Sequence, residues 1–180
     1  MTQELYQKAI IFAGEKHSEQ KVPGTNANYL VHISNVAMEV LTAYNFDNDF
    51  DINLAIQVAI LHDTIEDTNT DFEEIKNKFG ENIATGVQAL TKDEKLKSKK
   101  ERMIDSLNRI NQLQKEIGIV KIADRITNLQ RPPKHWSKEK IVSYYEEAKL
   151  ISSTLTKKNN YLNQRLSSKI LEYGKMIKSL

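Results

Sequence analysis

Cysteine is absent from the 180-residue sequence, and this absence narrows the chemistry that the chain can perform. Without thiols there are no disulfides, no cysteine-based zinc fingers and no thiol catalysis. A metal site would have to use histidine and carboxylate ligands, a set that favours manganese, iron, cobalt or zinc over iron–sulfur clusters. The lack of cysteine is also compatible with the cytoplasm, which is the compartment we expect.

Long apolar runs and an excess of one charge are lacking as well. No apolar run approaches the roughly 20 residues that a bilayer-spanning helix needs. Residues 1–5 are polar and start a helical pattern, so we expect no signal peptide. The sequence has 26 basic and 24 acidic residues and a net charge of +2, which predicts no surface for coating a polyanion. We therefore expect neither a nucleic acid nor a membrane as a partner.

Strand patterns of useful length are missing, and apolar residues recur at helical spacing almost throughout the chain. A strong pattern over 117–129 ends before Pro132 and Pro133, which cannot continue a helix. Two longer helices are predicted over about 137–155 and 159–177. The length fits one domain with one core. The sequence therefore predicts a single all-α domain over 1–180.

Two polar stretches are predicted as loops. Residues 21–28 are rich in turn formers. Residues 92–102 hold nine charged residues of eleven, six of them basic, which indicates a solvated, mobile connection or a basic lid over a phosphate-rich substrate. Between them, Thr70 followed by Glu73 predicts a capping box at the start of a short helix.

Four potential metal ligands lie on segments with helical patterns: His32, the adjacent His62 and Asp63, and Asp124. The pair opens a polar run directly after the apolar stretch 55–61. Ionisable groups at the buried end of a helix cost folding energy unless a metal or a substrate compensates. Two imidazoles and two carboxylates would leave open positions on an octahedral ion, as catalysis requires.

Helical spacing adds further polar groups to this constellation. Residues four apart share a helix face, so Glu66 and Asp67 are expected one turn beyond His62 and Asp63. Asn128 is expected one turn from Asp124, where it could donate to a substrate oxygen. A single histidine on an apolar helix is usually a hydrogen-bonded core residue. The remaining two histidines have no comparable set of potential ligands around them in the sequence. We interpret His17 as a structural partner of the first loop and His135 as a surface residue.

The pattern His32…His62-Asp63…Asp124 resembles the HD-domain metal phosphohydrolases. The sequence motifs around these residues are similar to those of the hydrolase domain of the RelA/SpoT family. The similarity is clearest in two motifs, Ala59-Ile60-Leu61-His62-Asp63-Thr64-Ile65-Glu66-Asp67-Thr68 and Val120-Lys121-Ile122-Ala123-Asp124-Arg125-Ile126-Thr127-Asn128-Leu129. The similarity runs from near the N-terminus to about residue 131. The resemblance implies an HD-type helical bundle with its metal-site core over about 5–131 and C-terminal helices over about 137–178.

In that family the domain removes pyrophosphate from the 3′ position of the alarmone (p)ppGpp, the nucleotide signal of the stringent response, using manganese. The resemblance implies that His32, His62, Asp63 and Asp124 bind Mn²⁺ or another divalent transition metal. It implies that Glu66 and Asp67 position and activate the attacking water, and that Asn128 contacts the nucleotide. Long family members add a synthetase and regulatory domains, so the chain resembles the stand-alone small alarmone hydrolases.

One departure concerns recognition of the base. The family usually has an Arg-Lys pair in the first loop, whose arginine stacks on guanine, whereas this chain reads Lys21-Val22-Pro23-Gly24. Lys21 could still meet a phosphate, but the stacking arginine is absent. The last histidine of the usual Asp-Arg-Leu-His-Asn word is Thr127 here. An adenosine analogue such as (p)ppApp therefore stays an alternative substrate.

The sequence leaves the roles of several basic residues open, and with them the exact activity. The departing pyrophosphate would be stabilised by Lys121, Arg125 or the basic stretch 92–102. The alternative for Arg125 is a structural role, in which it pairs with a carboxylate and holds the site together. The chain could also be an HD nucleotidase for ordinary mononucleotides or deoxynucleotides, or a module that binds alarmones without turnover. The native metal and the oligomeric state do not follow from the sequence.

Overall fold

The computed structural model describes residues 1–178, and in this range the chain folds into ten α-helices joined by short connections. Their bounds are α1 (Thr2–Lys16), α2 (Leu30–Phe46), α3 (Ile52–Leu61), α4 (Thr64–Asp67), α5 (Phe72–Phe79), α6 (Glu81–Leu90), α7 (Lys99–Asn111), α8 (Lys115–Asn128), α9 (Lys138–Thr154) and α10 (Asn160–Lys178). Extended pairing within residues 1–178 is limited to one isolated bridge between Lys21 and Asn28. The prediction of an all-α fold is confirmed. Positions 179 and 180 of the predicted domain lie outside the described residues.

The centre of the fold is formed by α3 and α8. Every residue from Ala55 to Leu61 in α3 is buried, and so is every residue from Glu116 to Ile126 in α8. α3 packs against α1, α2 and α8, and α2 also packs against α8. These contacts bring together His32 on α2, the residues that follow α3, and Asp124 on α8. A central helix that is buried all round leaves its polar side chains no access to bulk water, so they must find partners inside the protein.

The C-terminal helices cover one side of this core. α10 packs against α8, α9 and α2 through a buried stripe at helical spacing, Leu162, Leu166, Ile170 and Tyr173. Ser137 caps α9 by accepting a hydrogen bond from the Lys140 backbone N–H. The two predicted C-terminal helices are confirmed to within about one residue at each end. None of the described helices is both long and apolar enough to span a membrane.

Three local predictions were wrong. The stretch 92–102 is not all loop, because α7 already begins at Lys99, behind a capping box between Ser98 and Glu101. α5 is capped by the Asp71 side chain and not by Thr70. The helix carrying the polar run is interrupted, since α3 ends at Leu61 and the one-turn helix α4 starts at Thr64.

Candidate metal centre and active site

Three buried side chains converge at the centre of the fold. The Nε2 atoms of His32 and His62 lie 3.3 Å apart. The Oδ1 atom of Asp124 is 3.5 Å from the first nitrogen and 3.8 Å from the second. His32 is 5%, His62 3% and Asp124 6% exposed, and one ligand atom from each lies within 4.8 Å of the others. These three residues could hold a metal ion.

The orientation of His62 is set by the end of α3. Its Nδ1 atom lies 2.8 Å from the carbonyl oxygen of Ala59, and a carbonyl can only accept, so Nδ1 carries the proton. The neutral ring therefore directs the Nε2 lone pair at the Asp63 carboxylate, 2.9 Å away. Two lone pairs facing each other require a cation between them, either a proton or a metal ion. This donor set fits a divalent metal with nitrogen and oxygen ligands.

Charge around His62 strongly affects its protonation in the metal-free protein. Burial alone would lower the pKa of the imidazole, but the charges of Asp63 and Asp124 and the hydrogen bond to Asp63 raise that pKa to about 9. Burial would likewise raise the pKa of Asp63, yet the facing His62 ring holds it well below its usual range. In the absence of metal, a proton on His62 thus balances the buried carboxylates.

Asp63 lies beside the three converging residues and is held by a tyrosine. Its Oδ2 atom is 3.7 Å from Nε2 of His32 and accepts a 2.5 Å hydrogen bond from the Tyr29 hydroxyl. Burial and the charge of Asp63 raise the pKa of that hydroxyl, which stays protonated as a donor. Asp63 is thus adjacent to both histidines and has one oxygen fixed by Tyr29.

Asp124 is engaged from both directions along α8. Its Oδ2 atom lies 3.3 Å from the Lys121 ammonium, and its Oδ1 atom accepts a hydrogen bond from the Asn128 side-chain amide. Burial would raise the pKa of this carboxyl, but Lys121 and the two histidines hold it well below its usual range. Asp124 is therefore ionised and oriented before any ligand arrives.

The two acids of α4 are held in different ways. Both oxygens of Glu66 are engaged by Lys92, which donates from its backbone N–H (3.0 Å) and from its ammonium group (2.7 Å). Although burial opposes it, the charge of Glu66 raises the pKa of the Lys92 ammonium. Asp67 accepts a 2.9 Å hydrogen bond from the Gln20 side chain. Partial desolvation and the nearby charge of Asp63 raise the pKa of Asp67, as suits a group that takes up a proton.

A cavity of about 1160 Å³ opens beside this cluster. Its lining includes His32, Glu66 and Asn128 at the cluster and Trp136 and Tyr144 from the C-terminal part of the chain. Basic side chains of the segment 92–102 contribute positive charge to its wall, namely Lys92, Lys99 and Arg102. The volume exceeds the range of about 300–1,000 Å³ that is usual for small-molecule sites, so a nucleotide with several phosphates fits by size.

Four residues were predicted to contact substrate, and the structure places them differently. Asn128 lines the cavity. Lys21 directs its ammonium to the carbonyl of Asn26 within its own loop, 3.4 Å away. Lys121 pairs with Asp124, as described above. Arg125 pairs with Glu147 at 3.3 Å and lies over the Tyr144 ring, which is the carboxylate pairing considered for it from the sequence. Lys21, Lys121 and Arg125 are not among the described residues that line the cavity, and their contact with substrate stays a prediction.

Sequence reasoning did not identify the donors that hold the acids of the site. Tyr29, Lys92 and Gln20 each donate to one of its acids, and they lie 34, 26 and 47 positions from their respective partners. Such separations leave no local signal. His17 was interpreted as a structural partner of the first loop, and it is buried beside Gln20. His135 is exposed, as predicted.

The fold and the site together place the chain in a class of proteins, namely helical bundles with a buried histidine–aspartate cluster beside a cavity. Residues 9–160 match the family model for the HD domain. The guanosine-3′,5′-bis(diphosphate) 3′-pyrophosphohydrolase MESH1 of Danio rerio is 32% identical over 172 residues, which cover 93% of each chain. The chain belongs to the HD-domain family and, within it, to the group that contains the MESH1 pyrophosphohydrolases.

Two further relatives extend the comparison. The guanosine-3′,5′-bis(diphosphate) 3′-pyrophosphohydrolase of Aquifex aeolicus is 38% identical over 126 residues, which cover 69% of this chain and 17% of that longer protein. The solved structure of a metazoan ortholog of SpoT, described as hydrolysing ppGpp, superposes with a TM-score of 0.80 at 24% identity, over 94% of this chain and 96% of that one. The second likeness bears on the fold alone, which it matches over nearly the whole length.

Proposed function

We propose that this protein hydrolyses the 3′-pyrophosphate of the nucleotide (p)ppGpp and releases pyrophosphate. The observation that carries the proposal is the convergence of His32, His62 and Asp124 on one point, at the wall of a cavity that Glu66 also lines. The relatives named as guanosine-3′,5′-bis(diphosphate) 3′-pyrophosphohydrolases support the substrate. The protein is thus an enzyme whose small-molecule substrate is a nucleotide.

His32, His62, Asp63 and Asp124 are the residues that would hold the metal ion, and we propose manganese as that ion. When bound, a divalent cation supplies Lewis acidity to a phosphoryl oxygen and lowers the pKa of water. Lys121 and Asn128 hold Asp124 in place, and Tyr29 holds Asp63. Because all three partners donate hydrogen bonds, they keep these carboxylates ionised for the cation.

Glu66 and Asp67 divide the handling of the attacking water between them. Lys92 engages both oxygens of Glu66 and fixes its carboxylate, and we assign to Glu66 the orientation of the water, from which it would accept a hydrogen bond. The pKa of Asp67 is raised by partial desolvation and by Asp63, which suits it to accept the proton that the water loses on attacking phosphorus. Since Gln20 occupies Oδ2 of Asp67, we assign the proton to Oδ1.

The remaining cavity wall would receive the rest of the nucleotide. Lys92, Lys99 and Arg102 present positive charge where negative charge grows on the departing pyrophosphate. Asn128 donates one amide hydrogen to Asp124, and its second amide hydrogen would contact a substrate oxygen. Trp136 and Tyr144 offer aromatic surface to the base.

The composition of the first loop admits (p)ppApp as a second candidate substrate. Val22 and Pro23 line the cavity in the segment where the family resemblance predicts a guanine-stacking arginine. These two side chains pack on either purine and carry no side-chain donor that would distinguish guanine from adenine.

Pyrophosphate release with manganese present, measured in parallel on ppGpp, ppApp, GDP and dGTP, tests the proposal. We expect turnover of at least one 3′-pyrophosphorylated nucleotide, with loss of activity on chelation and recovery when manganese is restored. Cleavage of GDP or dGTP alone, with phosphate or triphosphate released instead of pyrophosphate, would make the protein a general HD nucleotidase. Binding of ppGpp without turnover of any of the four would make it an alarmone-binding module.

A further inference from the structure

A buried histidine outside the metal cluster is connected to Asp67 through a glutamine. His17, at the end of α1, is 1% exposed, and its Nδ1 atom lies 2.5 Å from Oε1 of Gln20. The amide nitrogen of Gln20 then donates to Oδ2 of Asp67 over 2.9 Å. The three side chains form one hydrogen-bonded row that ends at the acid to which we assign the proton.

The direction of each hydrogen bond in this row follows from the chemistry of its ends. An ionised carboxylate only accepts, so Gln20 must present its NH₂ group to Asp67 and its oxygen to His17. That oxygen can only accept, so Nδ1 of His17 must carry a proton. Burial lowers the pKa of the His17 imidazole, which favours the neutral ring. The Nε2 atom is then left with a lone pair and no proton.

This arrangement is unfavourable for a residue that serves packing alone. Nε2 of His17 is buried and has no hydrogen-bond partner among the described residues. An unpaired buried acceptor costs its desolvation energy, and an apolar side chain of similar size would avoid that cost. The imidazole ring supplies the Nδ1–H donor, which an apolar side chain would lack. Its face also packs against the Tyr29 ring, with 5.1 Å between the ring centroids.

We propose that His17 and Gln20 are positioning residues that fix the orientation of Asp67 for catalysis, an inference that rests on the proposed hydrolase function. The Nδ1–H group of His17 prevents the Gln20 amide from turning over. The amide in turn holds Oδ2 of Asp67 and leaves Oδ1 directed to the attacking water. Asp67 is exposed on a helix of one turn, so little else restrains its rotamer.

Substitutions at the two positions separate hydrogen bonding from packing. His17→Asn keeps a donor near the position of Nδ1, whereas His17→Leu keeps apolar bulk and removes the donor. Gln20→Met keeps the length of the side chain and removes both polar atoms. Glu19→Met changes an exposed neighbour in the same turn and serves as the matched control. The readouts are kcat and KM for ppGpp, bound manganese, and the thermal midpoint.

We expect His17→Leu and Gln20→Met to lower kcat by about 10- to 100-fold, by analogy with the loss that follows removal of a partner that orients a metal ligand, with KM and bound manganese within about threefold of wild type. His17→Asn and Glu19→Met should stay within about threefold of wild-type kcat. The double variant His17→Leu/Gln20→Met should be no worse than either single variant, because both changes disrupt the same row. In the metal-free wild type, nitrogen NMR should find His17 as the Nδ1–H tautomer.

Some outcomes would overturn the inference while leaving the hydrolase function intact. Wild-type kcat in folded Gln20→Met would exclude a role for the row, even if His17→Leu does not fold. Equal loss of activity in His17→Asn and His17→Leu, with both folded, would assign His17 to packing. An Nε2–H tautomer would reverse the deduced hydrogen-bond direction. Absence of ppGpp turnover in the wild type itself would instead overturn the proposed function.

Discussion

The protonation of His62 predicts how the stability of the metal-free protein depends on pH. The pKa of His62 is raised from 6.5 to about 9 in the folded chain. A group whose pKa is higher in the folded state stabilises that state while it is protonated. This stabilisation is fully present below pH 6.5, the unfolded value, and is lost as the pH rises through about 9. Metal-free protein should therefore become less stable on the alkaline side of neutrality.

The size of the effect follows from the same shift. One pKa unit corresponds to about 1.4 kcal/mol, so the rise from 6.5 to about 9 amounts to stabilisation on the order of 3 kcal/mol. His62 is 3% exposed, so solvent screens this interaction little. Between pH 6.5 and 8.5 the free energy of unfolding should fall by roughly 2–3 kcal/mol. With manganese bound, Nε2 of His62 would take up no proton over this range and the ring would keep only its Nδ1 proton, so this cause of the decline disappears.

Urea unfolding at several pH values between 6.5 and 8.5 measures this dependence. Protein stripped by a chelator is compared with manganese-loaded protein kept free of oxygen. The variant His62→Asn should lose the decline, and His135→Asn, which changes an exposed histidine, should keep it. A metal-free protein whose unfolding free energy is constant or increases over this range would refute the reasoning.

Three further predictions concern single residues. Glu66→Gln should lower the turnover of ppGpp by about 100-fold or more with bound manganese unchanged, and wild-type activity would remove Glu66 from its assigned role. Asp124→Ala should lose the metal in equilibrium dialysis, and stoichiometric metal retained by this variant would exclude Asp124 from the ligand set. Gly86→Ala should lower the free energy of unfolding by roughly 1–3 kcal/mol, because a Cβ atom there would lie 2.6 Å from Cδ1 of Ile117; an unchanged melting midpoint would show that Ile117 moves aside.

The helices were largely predictable because each carries a local signal. Apolar spacing indicated α8, and the prolines after residue 131 indicated its end. The start of α7 was missed because the charges of residues 92–102 dominate the pattern there, while the capping box of Ser98 and Glu101 is a weaker signal within it. The break after Leu61 was missed because no proline or glycine marks it in the polar run 62–67, although the backbone of Asp63 departs there from helical angles, with φ −101° and ψ 0°.

The site was predictable as a set of residues and not as a set of contacts. His32, His62 and Asp124 were identified from sequence words, and the packing of α2, α3 and α8 brings their ligand atoms together. The hydrogen-bond partners of the acids could not be predicted from the sequence, because the contacts of Lys92 with Glu66 and of Gln20 with Asp67 depend on how separate segments pack. Lys121 illustrates the same point. Its charge suggested that it binds a phosphate group of the substrate. In the structure its buried position on α8 directs its ammonium group to Asp124.

Phosphorus NMR of the products formed from ppGpp in water labelled with oxygen-18 tests the central claim most directly. The account predicts pyrophosphate that carries the label, an unlabelled nucleoside diphosphate, and no reaction after chelation until manganese is restored. Release of orthophosphate from ppGpp, label in the nucleoside product, or turnover that persists without a divalent metal would contradict it.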